Sequence, residues 1–152
     1  MRSGIDARLD IRALTPEHVE WLEELLDEGY TVRVRATGPS MRPFILSGEW
    51  IWLRRIPERP TVGDVVMVLE HGRRLLVHRV TRLSDSGVQT QGDSAHRPDA
   101  WVPLERVVGR VVRVESMSRS WLAATFRALV LGRVSRLLRW RHSAAGQLRR
   151  SE

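Results

Sequence analysis

No lysine occurs anywhere in the 152 residues: all 25 basic side chains are arginine. Arginine keeps its proton in proteins, so the chain has no amine to act as a general base or to form an imine with a carbonyl. Ser-Lys dyads and lysine-imine chemistry are thereby excluded. Cysteine is also absent, which removes disulfides, thiolate nucleophiles and zinc–cysteine sites. Long apolar runs are missing too. The most apolar stretch, residues 121–140, carries Arg127, Arg133, Arg136 and Arg139, too much charge for a membrane span. The N-terminal run Asp6, Arg8, Asp10, Arg12 has the character of neither a signal peptide nor an anchor.

What is present is unevenly distributed. Residues 1–118 hold 17 arginines and 17 acidic residues, whereas 119–152 hold eight arginines against Glu152. The whole net charge of +7 therefore sits in the C-terminal segment. A neutral body argues against a nucleic-acid binder despite the basic total. With 42% hydrophobic residues and seven prolines, the chain can bury a core.

Periodicity divides the chain into three parts. The first, 1–29, contains a helix at 15–28 that packs on the domain: Thr15 caps it, Pro16 suits its first position, and Val19, Leu22, Leu25 and Leu26 form its apolar face. From Tyr30 the period changes to two, with Val32, Val34 and Ala36 alternating with Arg33 and Arg35. Strands are predicted at 31–37, 50–55, 64–70, 73–83, 86–91 and 106–115, with His71-Gly72 as a tight hairpin turn. The second part, 30–117, is thus a mainly β domain, α+β once the helix is counted, with Trp50, Ile51 and Trp52 assigned to its core. The third, 118–152, opens with a basic amphipathic helix at 118–140. Such a helix can pack on the domain, lie on an anionic membrane or meet an acidic partner or nucleic acid.

The reactive inventory is small. Ser40 lies in Gly38-Pro39-Ser40-Met41-Arg42-Pro43, where two prolines and a glycine stiffen a loop directly after a strand and can hold a hydroxyl in one orientation. His78 stands in the apolar strand Leu75-Leu76-Val77-His78-Arg79-Val80. Asp93 and Asp99 flank the loop after strand 86–91, and either can orient an imidazole and stabilise its cation.

In this order and on this β background, residues 25–112 resemble the signal peptidase I family, within the clan that includes the self-cleaving SOS repressors. The nucleophile box is similar to Gly38-Pro39-Ser40-Met41-Arg42-Pro43, and Val62-Gly63-Asp64-Val65-Val66, Leu76-Val77-His78-Arg79-Val80, Gln91-Gly92-Asp93 with Asp99, and Val108-Gly109-Arg110-Val111 match the boxes that follow. The archaeal and endoplasmic-reticulum branch carries histidine where the others carry lysine, and this chain, without lysine, has His78 there. The resemblance implies a signal peptidase-like β-fold and a serine endopeptidase that removes a leader, signal or pro-segment. In it Ser40 is the nucleophile, His78 the general base and Asp99 the orienting carboxylate, with Asp93 fixing the loop. Met41 and Leu76 are expected to line the substrate pocket, and no metal or cofactor is implied.

Two departures accompany the match. The branch has a hydroxyl residue two positions before the nucleophile, where this chain has Gly38, and Pro39 has no N–H. Oxyanion support is left to the Ser40 N–H, to the Gly38 region and to Thr37. The branch also has an N-terminal anchor that this sequence does not show, so the expected setting is cytoplasmic, with peripheral membrane contact through 119–150. The expected partner is a peptide or preprotein. The competing expectations are a peptide-binding module of the same fold without turnover, and a membrane- or nucleic-acid-binding protein acting through the arginine-rich segment.

Overall fold

The computed structural model describes residues 4–70 and 74–115. The predicted helix at 118–140, the rest of the third segment and the His71-Gly72 turn lie outside the described residues.

The alternating sequence forms one eight-stranded sheet: β1 (Ile5–Asp10), β2 (Val32–Arg35), β3 (Trp50–Arg54), β4 (Val65–Leu69), β5 (Leu75–Leu83), β6 (Gly87–Gln91), β7 (Trp101–Pro103) and β8 (Val107–Glu115). Their order across the sheet is β1-β2-β3-β8-β4-β5-β6-β7. All neighbours are antiparallel except β1 and β2. The mainly β reading is borne out, and its six strands lie within two residues of the observed ones.

Two strands escape the pattern. The sequence IDARLD has three charged residues in six, yet it forms β1 by pairing parallel to β2 at the sheet edge, Ile5 against Val32. Edge strands tolerate such composition because one side of the ladder faces away from the sheet. β7 has only three residues and ends on Pro103, at the opposite edge.

The helix α1 (Pro16–Asp27) starts where the capping chemistry predicts. The Thr15 hydroxyl accepts from the His18 backbone N–H, and His18 Nδ1 accepts from the Thr15 N–H at 3.1 Å, so His18 closes a capping box. Gly29, at φ +85°, ends the helix in a conformation that glycine adopts without strain. Val19, Leu22 and Leu26 are buried in one core cluster with Val32, Val34, Ile51, Leu53, Met67 and Val108.

β4 is buried on both faces, since Val66, Met67 and Val68 are all fully inaccessible. Met67 joins the helix-side cluster, while Val66 and Val68 join a second one with Val80, Val88, Val102 and Val107. Only Ile51 of the expected Trp50–Ile51–Trp52 trio is core. The alternation turns both tryptophans to the other face: Arg33 stacks over Trp50 at 4.3 Å, and the Trp52 indole donates to Glu115 at 2.7 Å. That hydrogen bond, with Arg33 beside it, holds the Glu115 carboxyl below its ordinary range.

No described helix is long and apolar enough to cross a membrane.

Candidate active site

The nucleophile loop runs from the end of β2 to the start of β3. Gly38 adopts φ +94°, which turns the chain sharply out of the strand, and the following turns are closed by Arg42 N–H to Pro39 O and Ile45 N–H to Met41 O. Met41 and Ile45 plug into the helix-side core, and the buried Glu49 accepts from the Leu46 N–H at 2.8 Å. Both ends of the loop are therefore anchored, and Ser40 is held between them.

His78 is in the middle of β5, opposite Val66 of β4, and is only 7% exposed. Its Nε2 is 2.9 Å from Ser40 Oγ, and its Nδ1 is 2.6 Å from Asp99 Oδ2. A carboxylate only accepts, so Nδ1 carries the proton and Nε2 presents a lone pair to the Ser40 hydroxyl.

Asp99 is itself fixed by groups the sequence reading did not single out. Its N–H donates to the Thr90 carbonyl at 2.8 Å, its carbonyl accepts from Gln89 Nε2 at 3.1 Å, and its Oδ2 accepts from Thr90 Oγ1 at 2.7 Å. Thr90 is fully buried. Period-two alternation points it to a buried face, but only the fold brings Asp99 across β6 to meet it.

The loop after β6 is tied directly to the nucleophile loop. Ser94 N–H donates to Ser40 O and Ser94 Oγ to Pro39 O, both at 2.9 Å. At Gly92 an added Cβ would lie 2.8 Å from Ser40 O, 3.0 Å from Ser40 Cβ and 3.2 Å from His78 Nε2. Only a hydrogen at that position lets the two loops and the imidazole meet.

Asp93 does not reach His78. Both its oxygens take the Arg79 guanidinium, at 2.7 and 2.8 Å, and Arg79 also donates to Gly63 O and stacks against Phe44. Arg79 thus ties the loop after β6 to the turn before β4 and to the nucleophile loop. Asp93, expected to fix the loop, is placed against that arginine.

Of the three groups expected to support the oxyanion, one is engaged by another acceptor. The Gly38 N–H donates to Ser47 Oγ at 3.2 Å, so it is committed elsewhere. The Ser40 N–H donates to no group among the described residues. Thr37 Oγ1 is buried and has no hydrogen-bond partner among them either.

A cleft of about 570 Å³ opens at Ser40 and His78. Met41 and Leu76 both line it, together with Ile11, Leu14, Ile45 and Leu75, and Thr37 and Gly38 form part of one wall.

Compared with protein-family models, residues 3–112 match the one described as Peptidase S24-like. No curated protein matches the chain.

Proposed function

The chain belongs to the peptidase S24-like family, whose fold is of the serine peptidase type, and on that premise we propose that it is an active serine endopeptidase of the Ser-His branch that trims a leader or pro-segment from a peptide. The single observation that carries the reading is the continuous Ser40–His78–Asp99 hydrogen-bond chain, with spacings of 2.9 and 2.6 Å.

In this mechanism Ser40 Oγ attacks the scissile carbonyl while His78 Nε2 takes its proton. Asp99 holds the imidazole in the required tautomer and balances the charge of the imidazolium. His78 then returns the proton to the leaving amine. Water enters, gives a proton to the same nitrogen and hydrolyses the acyl-enzyme, regenerating the Ser40 hydroxyl.

The substrate binds extended. Leu75–Val77 of β5 pair with β4 on one side, whereas β6 begins pairing only at Arg79. On the side away from β4, residues 75–77 have no ladder partner among the described residues, and they line the cleft together with Ala36–Gly38. A peptide strand added there brings its carbonyl to Ser40 by main-chain hydrogen bonds.

A fluorophosphonate probe tests the reading. Wild-type protein is expected to be labelled at Ser40, located by peptide mass spectrometry, and His78→Ala is expected to abolish the label. Wild-type protein that is neither labelled nor able to cleave alanine-rich leader peptides would sink the proposal and favour a binding module of the same fold.

Gly92→Ala checks how closely the site is built. The new methyl forces Ser40 and His78 apart, and a displacement of about 1 Å costs roughly a hundredfold in rate. The expected result is a kcat/KM lower by about 10- to 100-fold, read with a fluorogenic peptide. An unchanged rate would show that the loops are looser than these contacts.

A further inference from the structure

Two arginines flank the cleft, and neither takes part in the chemistry just described. Arg12 comes from the short 3-10 turn Ile11–Ala13 after β1, and Arg74 immediately precedes β5. Both line the cleft that contains Ser40 and His78, and both are exposed. The Arg12 guanidinium lies over the nucleophile loop, with Nη2 3.2 Å from where a Cβ on Gly38 would sit. Arg74 lines the same cleft from the start of β5, four residues before His78.

Among the described residues no Asp or Glu lines the cleft. Among the described residues neither guanidinium forms an ion pair, although Arg33, Arg55, Arg59, Arg79, Arg110 and Arg113 all do. The nearby Asp10 carboxylate accepts from the Arg12 backbone N–H at 2.9 Å, not from its side chain. On the rim of this apolar-floored cleft two guanidiniums therefore stand without an ion-pair partner among the described residues. Such a cleft concentrates the field along its length and attracts anionic groups. A planar guanidinium is also suited to hold a carboxylate through two parallel hydrogen bonds.

We propose that the cleft selects acidic peptides: an apolar side chain settles on the floor beside Ser40, and carboxylate side chains flanking it are taken by Arg12 and Arg74. This inference rests on the peptidase reading for the identity of the occupant, and names the substrate class.

Binding to the full-length Ser40→Ala protein tests it without requiring turnover. The probes are a fluorescent alanine-rich nonapeptide with one central leucine flanked by aspartates and its twin with asparagines, compared by anisotropy. The aspartate peptide is expected to bind about tenfold tighter at roughly 0.05 M salt, and the ratio should shrink at roughly 0.5 M as screening shortens to a few ångströms. The arginine-rich 119–152 segment can also attract acidic peptides, so Arg12→Gln/Arg74→Gln in the same background is the deciding arm. The ratio is expected to fall to about twofold or less in that variant. Equal affinity of the two peptides for the Ser40→Ala protein, or a preference that survives the double substitution, overturns the inference. Failure of wild-type protein to take the fluorophosphonate label would overturn the peptidase reading alone, since the binding comparison does not use Ser40.

Discussion

Asp99→Asn is expected to lower kcat by about three to four orders of magnitude while peptide binding stays close to wild type. Two donors, His78 Nδ1–H and Thr90 Oγ1–H, converge on Asp99 Oδ2 at 2.6 and 2.7 Å. An asparagine oriented by Thr90 presents its oxygen there, so the imidazole can keep its position but loses the negative charge that balances its cation. With the amide turned the other way, the NH2 faces Nδ1, which must then accept, and the ring proton moves to Nε2, where it blocks abstraction from Ser40. Either outcome acts on the transition state more than on the bound peptide, so kcat falls and KM changes little. Asp93→Ala supplies the contrast. It removes both oxygens from Arg79 and leaves a largely buried guanidinium without its partner, so a loss of about 1–3 kcal/mol in stability is expected, with kcat changed less than tenfold. Steady-state kinetics with thermal melts on both variants separates the two aspartates. A kinetic collapse in Asp93→Ala with Asp99→Asn still active would reverse their assignment.

These two residues also show where sequence reading stops. Ser40 and His78 are legible as local signatures, a proline-stiffened loop and a histidine inside an apolar strand, whereas spacing leaves Asp93 and Asp99 open and only the family resemblance selects Asp99. The alternation of β2 to β6 is legible for the same reason, as a pattern within a few residues. Contacts between distant segments are not. Thr90 reads as an ordinary strand threonine until β6 and the following loop fold back to place Asp99 against it. Gly92 reads as a turn glycine, although its smallness is demanded by Ser40 and His78 from two other segments. Arg79 carries no signal of its own in the sequence, yet it joins Asp93, Gly63 and Phe44. The same limit hides β1, whose charged composition is acceptable only because it pairs at an edge, with β2.

Thr37→Val is expected to lower kcat by about 10²- to 10³-fold without loss of stability, and this pair of readouts decides what supports the oxyanion. Attack by Ser40 places negative charge on the substrate oxygen, and that charge needs donors already in position. Pro39 has no N–H, and the Gly38 N–H is taken by Ser47 Oγ. The Ser40 N–H is one donor with no other acceptor among the described residues. Thr37 Oγ1, in the wall of the same cleft, is a second candidate: a buried hydroxyl without a partner among them. Burying a hydroxyl unsatisfied costs roughly 1–3 kcal/mol, so a threonine retained there for packing alone is a poor choice beside valine, which has the same shape. Valine removes that penalty, and the melting temperature is expected to hold or rise. A threonine that serves only the fold predicts the opposite combination, an unchanged rate with altered stability. Thr37→Ser keeps a donor and is expected to recover most of the rate, so valine and serine variants that cleave a fluorogenic peptide equally fast would remove Thr37 from the oxyanion site.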